Sequence, residues 1–114
     1  MENCIFCKIV SGEIPSKFVY EDDLMVAFND LNPQAPTHVL FVPKKHIDSL
    51  DTASEEDFET IGKIFKAIRE YAKKEGFAEN GYRIINNVNR MGGQDVYHIH
   101  FHLVAGRQMQ WPPG

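Results

Sequence analysis

Tryptophan is almost absent from this chain, with one in 114 residues, and cysteine occurs only twice. Two cysteines exclude a multi-disulfide framework. Their spacing, Cys4-Ile5-Phe6-Cys7, reads in a reducing compartment as a metal half-site or a redox pair, the plain alternative being two small residues on the first turn of a helix. Long hydrophobic runs are missing too. Val39-Leu40-Phe41-Val42 is bounded by His38 and Pro43, so neither a transmembrane helix nor a secretory leader is expected. An excess of basic charge is also lacking: 12 Lys and Arg against 16 Asp and Glu give a net charge of −4. That argues against a nucleic-acid partner bound through a basic surface. No internal repeat, low-complexity tract or long linker breaks the chain. The expectation is a soluble cytoplasmic protein with no membrane association.

What is present is ordinary globular composition, 43% apolar and 25% charged. A mass of 13.1 kDa predicts roughly 6,400 Å² of folded surface against roughly 19,000 Å² unfolded, enough burial for one core. We expect a single domain over 1–114, with 107–114 as a C-terminal tail. Residues 4–11 predict a short helix stopped by Gly12 and Pro15. Lys17 to Tyr20 and Leu24 to Phe28 predict a hairpin around Glu21-Asp22-Asp23. Asn32-Pro33-Gln34-Ala35-Pro36 is a breaker segment, and Thr37 to Val42 predicts a buried strand stopped by Pro43. Ser54 with Asp57 opens a long helix in the manner of a capping box. Phe58, Ile61, Phe65, Ile68 and Ala72 mark its core face, and Gly76 marks its end. Gly81 to Asn87 and Tyr97 to Ala105 predict two more strands, with a loop over 88–94. About five strands with one long and one short helix, and hairpin-length links among the first three strands, predict an α+β fold on an antiparallel sheet.

The chemistry gathers in His98-Ile99-His100-Phe101-His102-Leu103. Side chains alternate along a strand, so the three imidazoles share one face and Ile99, Phe101 and Leu103 share the other. The apolar face packs under the long helix. The imidazole face suits two chemistries. Rings about 6.7 Å apart on alternate positions can chelate one ion. Alternatively, one ring attacks phosphorus while its neighbours orient it and supply protons. Gly92-Gly93-Gln94-Asp95 runs directly into the row, and paired glycines let backbone N–H groups approach an anion. Asp30 sits where a carboxylate could accept from a ribose diol or simply cap a turn. Cys4 and Cys7 supply half of a closed zinc site. The remaining donors are among His38, His46, His98, His100 and His102, and spacing alone leaves open which two close it.

These residues resemble the histidine triad (HIT) superfamily, in its Hint-like branch. The resemblance rests on His98 to Val104, Cys4-Ile5-Phe6-Cys7-Lys8-Ile9, Gly12-Glu13-Ile14-Pro15 and Asn32-Pro33-Gln34-Ala35-Pro36-Thr37-His38. It extends over Val42-Pro43-Lys44-Lys45-His46, Gly92-Gly93-Gln94 and the ending Gly106 to Gly114. It implies a purine nucleoside phosphoramidase or nucleotide hydrolase that passes through a nucleotidyl-histidine. His100 would be the nucleophile, with His102 at the phosphate and leaving group and His38 supporting the nucleophile. Asp30 would hold the ribose; Phe6, Ile9, Asn29 and Leu31 would line the base pocket. Asn87, Gly93, Gln94 and Asp95 would surround the phosphate and the leaving group. Cys4, Cys7, His46 and His98 would bind structural zinc, leaving no metal in the catalytic step. A homodimer joining two five-stranded sheets is implied, with Trp111 of the stiff Trp-Pro-Pro tail reaching toward the partner's site and shaping substrate preference. Two positions depart from the pattern. Asp95 stands where many relatives carry serine, and an ionised carboxylate cannot donate a hydrogen bond. Asn29 stands where some carry histidine. The rival readings are a dinucleoside polyphosphate hydrolase, a zinc hydrolase with His98, His100 and His102 as three ligands, a non-catalytic nucleotide-binding protein and a dithiol redox protein.

Overall fold

The structure, a computed structural model, describes residues 3–114. Its sheet is built from β1 (Phe18–Glu21), β2 (Met25–Asn29), β3 (Thr37–Pro43), β4 (Tyr82–Ile85) and β5 (Phe101–Ala105). All pairings are antiparallel, in the order β1-β2-β3-β5-β4. Two helices accompany it: α1 (Ile5–Ser11) and α2 (Glu55–Glu75). The fold is therefore α+β, with one short and one long helix. The hairpin turn is made by Asp22, whose carboxylate accepts from the Leu24 and Met25 N–H groups at 2.8 and 3.0 Å.

The period of two along each strand divides the interior into two clusters. Met25, Ala27, Val39, Phe41, Ile99, Phe101 and Leu103 pack with Ile61, Ile64 and Ile68 of α2. Val26, Phe28, Leu40 and Val42 point the other way, onto Phe6 and Ile9 of α1. The histidine row lies on that second face. Helix α2 is thus the larger core's cover, and α1 is what brings the N-terminal cysteines to the histidines.

Helix α2 begins as a capping box: Ser54 Oγ accepts from the Asp57 N–H at 3.1 Å, and the Asp57 carboxylate accepts from the Ser54 N–H at 3.0 Å. Such a cap contributes about 1 kcal/mol. Lys45 donates to the same carboxylate at 2.7 Å and, with the Ser54 N–H, holds Asp57 below the usual carboxylate range. Gly76 closes the helix in the left-handed conformation.

Two expectations need correction. Phe58 and Phe65 remain 46% and 43% exposed, so they border the core face that Ile61, Ile64, Ile68 and Ala72 form. Phe65 still reaches the Phe101 ring, at 5.4 Å between centroids. The final strand begins at Phe101, four residues later than the alternation suggested. The pairing register sets Phe41 opposite Phe101, which would bring Pro43 opposite Ile99. Pro43 has no N–H to continue the ladder. The Ile99 N–H instead donates to Ile47 at 2.7 Å, and the segment bends over Val96 to His98. A 3₁₀ turn at Leu50–Thr52 was not legible in the sequence. No helix among the described residues is long and apolar enough to cross a membrane.

Candidate active site and metal centre

Residues 98–102 run outward along one line, and each histidine on that line meets a different partner. His98 is fully buried. Its Nε2–H donates to the Pro43 carbonyl at 2.8 Å, which turns the Nδ1 lone pair toward Cys4 Sγ at 3.2 Å and Cys7 Sγ at 3.5 Å. His46 repeats the device. Its Nε2–H donates to Asp48 Oδ1 at 2.7 Å, and its Nδ1 faces Cys7 Sγ at 3.3 Å. One donor atom from each of Cys4, Cys7, His46 and His98 lies within 4.8 Å of the others. Two sulfurs, two imidazole nitrogens in the ligating tautomer and a carboxylate behind one imidazole make a donor set that fits tetrahedral zinc. Burial, with the neighbouring Cys4 sulfur, pushes the Cys7 thiol up to about 11. Such a pair ionises readily only with a cation to share.

His100 is 3% exposed and turned differently. Its Nδ1–H donates to the His98 carbonyl at 2.9 Å, so the neutral ring presents its Nε2 lone pair outward. Phe6 packs edge-on beneath it at 5.1 Å. Asn86 donates to the His100 carbonyl at 2.9 Å, a role the sequence did not disclose. Among the described residues, the carboxylate paired with Nε2 is that of Asp95, at 3.8 Å.

His102 belongs to a third arrangement. The Gln34 N–H donates to His38 Nδ1 at 3.0 Å, which leaves the His38 proton on Nε2. That proton points to His102 Nδ1 at 2.9 Å, with Asp30 Oδ2 at 3.5 Å. Neutral His102 must then carry its own proton on Nε2, and that buried atom has no partner among the described residues. Burial, then the His100 and His38 rings, push His102 down to about 4, so it is neutral near pH 7. An orphaned buried donor is costly, and it is explained by a ligand that accepts from it.

This geometry revises three sequence expectations. His38 supports His102; the positioning of His100 comes from the His98 carbonyl. The Gly93 and Gln94 N–H groups are engaged within the loop, with Arg90 and Asn89, so they are not free anion donors. The Gln94 side chain is likewise committed, donating to Asp48 and Val96 and accepting from Asn89. Gln94 is therefore a buried staple of the loop. Gly92 is required by close approach, because a Cβ there would stand 2.3 Å from the Val88 carbonyl oxygen. The three triad histidines do not gather as one ligand set among the described residues: His98 falls with Cys4, Cys7 and His46, and His102 with Asp30 and His38.

The remaining expected residues fall around the same line. Asp30 Oδ1 caps a turn by accepting from Asn32 at 2.8 Å, while Oδ2 stays beside His38. Phe6 and Ile9 form a buried floor, whereas Leu31 is fully exposed and Asn29 is exposed beside it. Asn87 is half-buried. Trp111 is 82% exposed, on a tail held by Arg83 to the Gln110 carbonyl and by Arg107 to Gln34, both at 2.9 Å. Asp48, like Asn86, was missed. The signal available for Asp48 was its place two residues after His46.

A family model described as the HIT domain matches residues 11–109. The chain is 49% identical over 108 residues to a purine nucleoside phosphoramidase of Escherichia coli strain K12, covering 95% of this chain and 91% of that protein. It is 50% identical over 112 residues to a 14 kDa zinc-binding protein of Zea mays, covering 96% and 87%. A HIT family hydrolase from Legionella pneumophila Philadelphia 1 superposes with a TM-score of 0.95 at 53% identity, over 98% of this chain and all of that one.

Proposed function

This chain belongs to the HIT domain family, and from that premise we propose that it hydrolyses the P–N bond of purine nucleoside 5′-phosphoramidates through a nucleotide covalently attached to His100. The observation that carries this reading is the tautomer of His100. With Nδ1–H committed to the His98 carbonyl, the lone pair faces outward from a ring that is otherwise buried. The relative in Escherichia coli bears the name of that activity.

The steps balance on this chain's own groups. The His100 Nε2 lone pair forms a bond to the α-phosphorus. The P–N bond breaks, its electron pair leaves with the amine, and the amine nitrogen takes up a proton. Water then attacks phosphorus, the P–Nε2 bond breaks, and the nucleoside monophosphate is released with one proton. His102 Nε2–H donates to a phosphoryl oxygen, which satisfies the orphaned donor where charge accumulates. The Asp95 N–H, which has no partner among the described residues, is available for a second oxygen. Asp30 accepts from the ribose hydroxyls, and Phe6, Ile9, Asn29, Leu31 and Asn87 surround the nucleotide.

The two sulfurs and the Nδ1 atoms of His46 and His98 would hold zinc. Zinc bound there would tie α1 to the sheet through Cys4 and Cys7. A thiolate metal site suits a reducing compartment, which supports a cytoplasmic location. A homodimer is supported by surface: the chain exposes 7398 Å², about 1,000 Å² above the scaling for its mass. That excess is close to one side of a standard interface, about 800 Å². The tail with Trp111 then lies near the partner's site. Sedimentation should give a dimer at micromolar concentration; a monomer there removes this part.

Steady-state hydrolysis of adenosine 5′-phosphoramidate tests the whole reading. Turnover is expected without added metal, and its absence would overturn the proposal.

A further inference from the structure

The Cys4-Ile5-Phe6-Cys7 segment takes no part in the nucleotide chemistry, yet it joins the metal centre to the nucleophile. Cys4 caps α1 from an extended conformation, and its Sγ accepts from the Cys7 N–H at 3.2 Å. Both sulfurs belong to the four-residue set whose donor atoms lie within 4.8 Å of one another. A disulfide asks for about 2.05 Å between sulfurs and roughly 4.4–6.8 Å between Cα atoms, and residues three apart at a helix start stand within that range. Rotation of the two side chains therefore closes the pair while the backbone keeps its course.

The two sulfurs are not reached equally. A cleft of about 520 Å³ opens beside them, lined by Cys4, Ile5, His46, Val96 and Tyr97, and Cys7 is not among its lining residues. A small neutral molecule from solvent thus meets Cys4 first. A ligating thiol is a thiolate, and the thiolate is the sulfur species that attacks. Between the cysteines stands Phe6, which packs edge-on against His100 at 5.1 Å and His98 at 5.9 Å between ring centroids. Helix α1 has seven residues, too few to persist by itself. Its buried side chains Phe6 and Ile9 are one anchor on the sheet, and the cysteine–histidine set is the second.

We propose that Cys4 and Cys7 are a reversible oxidation site: hydrogen peroxide oxidises Cys4 through the cleft, Cys7 resolves it as a disulfide, and loss of the metal centre loosens the floor beneath the nucleophile. This inference rests on the metal-centre reading above. Cys4 Sγ forms a bond to one peroxide oxygen, the O–O bond breaks, and the departing hydroxide takes a proton from solvent to leave as water. Cys7 Sγ then attacks the Cys4 sulfur, the S–O bond breaks, and a second hydroxide leaves as water with a second solvent proton. The sulfurs give up an electron pair and the peroxide accepts it. A disulfide has no thiolate to offer, so His46 and His98 are left without the other half of a closed site. A dithiol reductant restores both thiols.

Protein purified without chelator is treated with hydrogen peroxide and quenched at intervals. Peptide mass spectrometry reads the cysteines, and a chromogenic chelator reads released metal. A Cys4–Cys7 disulfide should form in step with metal release, and dithiothreitol with added zinc should reverse both. Dimedone present during the reaction should label Cys4 in wild type. Cys7→Ser should accumulate that label, and Cys4→Ser should be oxidised at least ~tenfold more slowly than Cys7→Ser. The oxidised wild type should show KM for adenosine 5′-phosphoramidate raised about threefold or more, with kcat changed less, because Phe6 lies under the nucleotide. Dimedone on Cys7 first, or oxidation of the fully exposed Met91 with both cysteines and the metal untouched, would overturn the proposal. A disulfide that leaves KM unchanged would overturn the link to the nucleophile. Protein that holds no metal as purified overturns the metal-centre reading and the release with it, while the dimedone label still decides the order of oxidation at Cys4 and Cys7.

Discussion

The two ends of the histidine line differ in how completely their polar atoms are satisfied. At the His98 end each imidazole donates backward, to Pro43 or to Asp48, and turns its other nitrogen onto a cysteine sulfur. That end is closed around its own ligand atoms. At the His102 end the chain of donors from Gln34 through His38 finishes in a buried N–H with nothing to meet. Identical side chains, four residues apart, thus end one within a closed set of ligand atoms and the other in an unpartnered donor. The pKa shifts cannot distinguish them, since His98 and His102 are both pushed down to about 4 by desolvation first. The direction in which each ring spends its proton can.

Removing the metal should give the largest effect on stability and a small one on chemistry. Cys4→Ser with Cys7→Ser, or exhaustive chelation, should lower stability by about 4 kcal/mol, the linkage expected for a ligand at a thousand times its dissociation constant. For a domain of this size that is a drop in Tm of roughly 15 °C. Turnover measured below the new Tm should stay within about tenfold. A metal-free protein that keeps its Tm but loses turnover would reverse the roles of the two ends.

His102 should behave in the opposite sense. His102→Ala removes the waiting donor and should cost about 10²-fold in kcat, in the range seen for a single oxyanion donor. Filling the position with His102→Gln, which retains an N–H near Nε2, should recover a large part of that loss, with Tm little changed in either variant. Equal loss in both variants would mean the ring supports the fold and donates nothing.

Acid sharpens the same contrast. The folded His102 pKa of about 4 lies below the ordinary 6.5, so the unfolded chain takes its proton first as pH falls. The stability tied to neutral His102 is therefore complete above about pH 6.5 and is lost as pH drops through 4. Water still reaches this ring, which moderates the size of the effect. The denaturant midpoint of wild type should fall between pH 6.5 and 4, and His102→Gln should show a shallower fall. A pH-independent midpoint across that window would contradict the neutral, buried ring.

Much of this was legible in the sequence, and the limits have physical causes. Alternation put Ile99, Phe101 and Leu103 on one face and the histidines on the other, and the structure has that division. Ser54 with Asp57 marked the helix start, because a cap is written in adjacent residues. Only Pro43, across the sheet, explains why pairing stops short of Ile99. A register is a relation between strands, and no single segment carries it. Phe58 and Phe65 fit the helical period yet sit at its border, since periodicity gives the direction of a stripe and not its width. The Cys-x-x-Cys spacing announced a half-site, and the sulfurs do face His46 and His98. What stayed hidden were the hydrogen bonds that fix tautomers: the His98 carbonyl on His100 and the Gln34 N–H on His38. These depend on backbone groups that every residue possesses.

The proposed chemistry turns on attack at phosphorus by the outward lone pair of His100. Rapid acid-free quenching of the protein during turnover of adenosine 5′-phosphoramidate, followed by peptide mass spectrometry, tests it most directly. An adenylyl group is expected on the peptide containing His100, absent from His100→Ala, whose turnover falls at least ~10³-fold. A His100→Ala protein with wild-type turnover, or an adduct on a different residue, would contradict it.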